Sequence, residues 1–180
     1  MHDIAIADHQ TQHVLQEPRQ FLTFLVAGEV FAADILHIKE IIEYGQLTVV
    51  PLMPAFIRGV INLRGTVVPV IDLAVRLGGQ RTAVTRRTCI IIIEVTTSGE
   101  EGRQVIGMLV DAVNQVLEIS SADIEPPPLF GARIRAQFLL GMGKVHDRFI
   151  ILLDVDRVLA VEEIDLLQQI SAPKSALAEI

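Results

Sequence analysis

Residues 59–77 read GVINLRGTVVPVIDLAVRL, and residues 141–159 read GMGKVHDRFIILLDVDRVL. The two stretches align without gaps: Gly59 falls on Gly141, Asp72 on Asp154 and Leu77 on Leu159. Each holds two apolar runs parted by a two-residue turn, Arg64-Gly65 in one and His146-Asp147 in the other. That is the pattern of a tight β-hairpin. Each hairpin runs into an aspartate and a short helical stretch. An aspartate placed there is expected to accept a hydrogen bond from a free backbone N–H of the first turn, so Asp72 and Asp154 are read as N-caps. Gly59 and Gly65 are read as glycines required by structural turns.

The likeness continues upstream. Residues 30–43, VFAADILHIKEIIE, align without gaps on 105–118, VIGMLVDAVNQVLE, with Ile38 on Val113 and Glu43 on Glu118. Apolar runs predict strands at 21–26, 30–35, 38–43, 59–63 and 66–71 in the first half. The second half has them at 89–95, 104–110, 114–119, 138–145 and 149–153. Proline-bearing crossovers fill 49–56 and 120–135. Each half thus carries about five short strands in one order, which suits a small closed barrel that hides its edges. The expectation is two related barrels packed together. Ile90–Ile93 do not alternate with polar residues, so that strand is expected to be buried on both faces near the junction. The domain spans 19–160, between a mobile leader at 1–18 and a helical tail at 161–180.

Apolar residues make up 51% of the 180, ample for a sizeable core. The longest uncharged stretch, 44–57, contains Pro51 and Pro54 and falls short of the roughly 18–20 residues a membrane-spanning helix needs. The first residues lack the basic and apolar regions of a signal peptide, so the cytoplasm is the expected location. The net charge is -7, the basic residues are scattered, and there is one Tyr and no Trp. Nucleic-acid binders usually carry a basic stripe and stacking aromatics, so none is expected as a partner. No catalytic, cofactor or metal motif stands out. His9 and His13 have no third ligand in view, and Gly141-Met142-Gly143-Lys144 lacks phosphate-loop spacing. Cys89 opens a very apolar strand and is read as a buried, inert thiol.

Binding is what remains. Arg64 stands at the tip of a hairpin between apolar strands. By simple alternation Glu40 shares a strand face with Ile38 and Ile42, while Lys39, Ile41 and Glu43 point the other way. Neither face is cleanly polar, as expected of a strand whose outer side is covered by a partner or by the other half of the chain.

PAFIRGVINLRGTVVPVIDL at 54–73 resembles the signature of CheW-like domains. FLTFLVAGEVFAADILHIKEIIE at 21–43 is similar to that family's opening segment, and VIGMLVDAVNQVLEIS with the following EPPPLF is similar to its second-half strands and loop. The resemblance implies a mainly β fold of two intertwined five-stranded β-barrel subdomains, with short helices and a C-terminal helix. It implies a non-catalytic adaptor that couples chemoreceptors to a CheA-type histidine kinase in chemotaxis. The partners would be the kinase's CheW-like regulatory domain and the helical cytoplasmic tip of a receptor, the latter in a groove between subdomains. The protein would be recruited from the cytoplasm to membrane-associated arrays. Ile38, Glu40, Arg64 and Val113 match positions tied to coupling, and Phe130 matches an apolar loop position used in ring contacts. An adaptor of a non-flagellar chemosensory pathway, for twitching, surface sensing or development, fits the same residues.

Overall fold

The computed structural model describes residues 18–96, 102–127 and 135–160. Phe130, the 161–180 tail and leader residues 1–17 lie outside them. The chain forms β1 (Arg19–Val26), β2 (Glu29–Asp34), β3 (Ile38–Glu43), β4 (Ile57–Leu63), β5 (Thr66–Asp72), α1 (Leu73–Arg76), β6 (Cys89–Thr96), β7 (Arg103–Val110), β8 (Ala112–Ile119), β9 (Ile124–Glu125), β10 (Leu139–Val145), β11 (Arg148–Leu153) and α2 (Val155–Val158). All the expected strands are present, and the two-residue β9 is an addition.

The strands form two sheets, ordered β8-β1-β2-β11-β10-β9 and β3-β6-β7-β5-β4. Replacing each strand by its repeat equivalent turns one order into the other: β8 becomes β3, β1 becomes β6, β2 becomes β7, β11 becomes β5 and β10 becomes β4. The place of β9 beside Met142 is taken in the second sheet by a lone bridge from Thr48 to Val60. The two subdomains are intertwined, because each sheet draws strands from both halves of the chain. β1 and β2 join β8, β10 and β11, while β3, β4 and β5 join β6 and β7. The halves meet along two parallel ladders, β2 on β11 and β5 on β7, and two antiparallel ones, β1 on β8 and β3 on β6. A 3-10 turn at Ile35–His37 starts the crossing; its cap Asp34 accepts from the Leu36 N–H at 2.9 Å.

Three apolar clusters explain the pattern of burial. Phe21, Ala32, Ile119, Ile150 and Leu152 fill the first curled sheet, and Val68, Val70, Ile90, Ile92 and Leu109 fill the second. The largest cluster lies between them and includes Phe24, Phe31, Ile91, Ile93, Met108 and Val110. Strand β6 therefore sends Ile90 and Ile92 into its own sheet's core and Ile91 and Ile93 into the shared one. All four are wholly buried, each contributing on the order of 1.5–3 kcal/mol by leaving water. Cys89 departs from its reading: at the strand's start it is half-buried, with Sγ 3.2 Å from the Arg87 carbonyl.

Two assignments at the hairpins need correction. Gly59 is in strand β4, not a turn. The ladder with β5 slips between Ile57 and Gly59, making a bulge at Arg58. A Cβ on Gly59 would stand 2.5 Å from the Thr48 carbonyl oxygen. Gly141 repeats this, beside a bulge at Leu140, where a Cβ would meet the Glu125 oxygen at 2.6 Å. Both glycines let a crossover segment lie against the strand. Asp72 makes no cap hydrogen bond, whereas Asp154 accepts from the Arg157 N–H at 3.3 Å. The bulge residue decides between them. Arg58 swings in and its Nη1 donates to Asp72 Oδ2 at 2.9 Å. Thr82 donates its N–H to the same oxygen and its hydroxyl to Oδ1. The equivalent bulge residue in the second half is Leu140, which offers Asp154 no donor and leaves it free to cap α2.

Candidate functional site

The β4–β5 turn is built for its residues. Arg64 and Gly65 both take positive φ, +52° and +85°, as a type I′ turn demands. Gly65 adopts this without strain, and its N–H donates to Asn62 Oδ1 at 2.8 Å. The turn holds Arg64 over the mouth of the second sheet, whose two end strands β3 and β4 share no ladder. The Arg64 guanidinium bridges that gap: Nη1 and Nη2 donate to Glu40 Oε1 and Oε2, each at 2.8 Å. This paired geometry is the strong form of an arginine–carboxylate contact. The hydrogen bond from Arg64 holds the Glu40 carboxyl below the usual glutamate range, and Glu40 raises Arg64 in return. Arg64 is 75% exposed and Glu40 26%, so the pair is accessible. Beneath it lies a cavity of about 470 Å³, with Leu63, Val68, Ile92 and Val105 as apolar lining and Lys39 and Thr66 alongside.

Ile38 is elsewhere. The β3–β6 ladder slips between Ile38 and Glu40, so Ile38 lies opposite Ile93 and Glu40 opposite Ile92. The extra residue, Lys39, shifts the alternation by one. Ile38 therefore packs on the cluster between the sheets, while Ile42 packs on the second sheet's own core. The expectation that Ile38, Glu40 and Ile42 share a face fails for this reason. The β1–β8 ladder slips likewise between Leu22 and Phe24, leaving Val113 opposite Phe24 on the same shared cluster. The structure thus joins Ile38 and Val113 to one core and Glu40 to Arg64 at a separate mouth.

Sequence reading overlooked an exposed apolar set that obeys the repeat. Ile41 and Val116 are equivalent positions and are 43% and 50% exposed; Val67 and Phe149 are equivalent too, at 44% and 52%. The alignment itself carried that signal. It also overlooked Arg58, whose signal was a lone charge between Ile57 and Gly59 in an apolar run. Among the described residues, no three His, Cys, Asp or Glu side chains are grouped to hold a metal, and no helix is long and apolar enough to cross a membrane.

A family model for the CheW-like domain matches residues 20–163. The chain is 35% identical to the chemotaxis protein CheW of Klebsiella aerogenes over 153 residues, covering 85% of this chain and 89% of that one. It is 34% identical to chemotaxis protein CheW of Rhizobium meliloti, covering 84% and 94%. It is also 34% identical to the protein FrzA of Myxococcus xanthus, covering 69% and 73%. The crystal structure of a scaffolding CheW from Thermoanaerobacter tengcongensis superposes with a TM-score of 0.71 at 35% identity, covering 81% of this chain and 95% of that one.

Proposed function

This chain belongs to the CheW-like family, and from that membership we propose that it is a chemotaxis coupling scaffold joining chemoreceptors to a CheA-type histidine kinase. The observation that carries the reading is the family match across 20–163, which takes in both intertwined subdomains. Its role is to bind and orient, not to catalyse. It is recruited to membrane-associated receptor arrays through its partners.

The geometry supports two contact surfaces. Ile38 and Val113 are half-buried on the shared core, and a receptor helix laid between the subdomains would extend that core over them. Glu40, on the other face of β3, and Arg64, in the β4–β5 turn, address the kinase's CheW-like domain at the mouth of the second sheet. Their paired charges set register and orientation more than affinity. The test is reconstitution with kinase and receptor. Arg64→Ala and Glu40→Ala are expected to fold normally, weaken kinase binding and leave receptor binding unchanged. Wild-type protein that bound neither partner would refute the coupling role; variants that bound the kinase normally would refute only the site. An adaptor of a non-flagellar chemosensory pathway is the second reading, favoured by the likeness to FrzA, a relative not named for chemotaxis. Recovery of a particular receptor from native lysate separates the two.

A further inference from the structure

Arg76 closes α1, and its equivalent in the second half is Val158 in α2. The two touch: Arg76 Nε donates to the Val158 carbonyl at 2.7 Å. A residue that reaches its own repeat equivalent lies beside the operation relating the two halves. The same guanidinium stands 5.1 Å from the Phe56 ring centre and 4.9 Å from that of Phe138. Phe56 and Phe138 are also repeat equivalents. Each carbonyl accepts from the aspartate that ends its hairpin, Asp72 at 2.7 Å and Asp154 at 2.8 Å. So one cation is held between matching rings from the two halves, and a hydrogen bond pins it to the far helix.

The arrangement is asymmetric where the rest of the fold repeats. An arginine occupies one copy of the position and a valine the other. The apolar contacts of the shared core resist separation of the sheets but are non-directional. A directional hydrogen bond combined with a cation stacked between two rings fixes a relative angle.

We propose that Arg76 is a positioning residue that sets the attitude of one subdomain to the other, and so sets how receptor and kinase are presented to each other. The second clause rests on the coupling role proposed above; the first does not. A residue that fixes geometry between two binding surfaces contributes to the coupling between partners, not to either affinity alone.

The test uses the full chain carrying Cys89→Ser with spin labels at Arg103→Cys on β7 and Lys144→Cys on β10, one in each sheet. Wild-type Arg76 is expected to give one narrow distance distribution without any partner. Arg76→Leu is expected to broaden or shift it, to leave each binary dissociation constant within about twofold, and to lower receptor control of the kinase about tenfold. Arg76→Lys keeps the stacked cation but loses the Nε hydrogen bond; it is expected to restore part of both. An unchanged distribution in Arg76→Leu overturns the proposal. Should Arg76→Leu fail to fold, Arg76→Lys decides instead, and wild-type width with wild-type control overturns it. Lost binary binding in a folded Arg76→Leu also overturns it. Wild-type protein that binds neither partner defeats the coupling role and leaves the distance measurement to judge the geometric one.

Discussion

Glu40 and Arg64 are a pair whose worth lies in position. Both are open to water, where ion pairs add little to global stability. The bridge should therefore be read through its own titration. Glu40 is depressed by the Arg64 hydrogen bond. A depressed carboxyl favours the folded pairing above the ordinary glutamate range and loses it as pH falls through the lowered value. A carboxyl-resolved NMR titration should place Glu40 below that range, and Arg64→Ala should move it back up. No movement in the variant would mean that the bridge does not persist in solution. Arg58 and Asp72 make the opposite case. The Arg58 side chain is 9% exposed and that of Asp72 is 0%. Removing one member leaves a buried charge without its partner. Arg58→Ala should cost on the order of 3–5 kcal/mol in urea unfolding. Arg64→Ala should change the same curve hardly at all, and equal losses would contradict this division of roles.

Among the elements, the strands and hairpins were legible because alternation and turn chemistry are local. The Arg64-Gly65 and His146-Asp147 turns, the doubly buried Ile90–Ile93 run and the repeat itself could be read directly. Bulges could not, since an extra residue shows only against the partner strand. Missing the one at Lys39 put Ile38 on Glu40's face. Missing the one at Arg58 made Asp72 a cap and Gly59 a turn. The partner strands also explain why both glycines matter. Gly59→Ala must push back the Thr48 backbone and hold a side chain at φ +154°, where only glycine is at ease. Gly141→Ala meets the Glu125 backbone just as closely, at 2.6 Å, without that φ. Both should lower the melting temperature through a loss of roughly 1–3 kcal/mol, with Gly59→Ala the larger. Equal shifts would show that steric contact alone sets the cost.

At the scale of the whole molecule, the repeat gives each half five strands in one order, and the family resemblance implies intertwined subdomains. The sheet orders bear out the intertwining. In the first half, β3 and the β4–β5 hairpin belong to one sheet, but β6 and β7 of the second half lie between them. In the second half, β8 and the β10–β11 hairpin belong to the other sheet, and β1 and β2 of the first half lie between those. A half alone therefore has one strand with no neighbour, β3 or β8, and hairpins whose sheet partners are missing. Each parallel seam also joins residues distant in sequence, so ordering is lost together. Fragments 18–88 and 89–160 made separately should each lack a cooperative unfolding transition and dispersed amide resonances. Mixed in equal amounts, they should regain both, since cutting at 88 severs a loop and no strand. Cooperative unfolding of either fragment by itself would show that a half can close its own sheet, and the exchange of strands would then be incidental to stability.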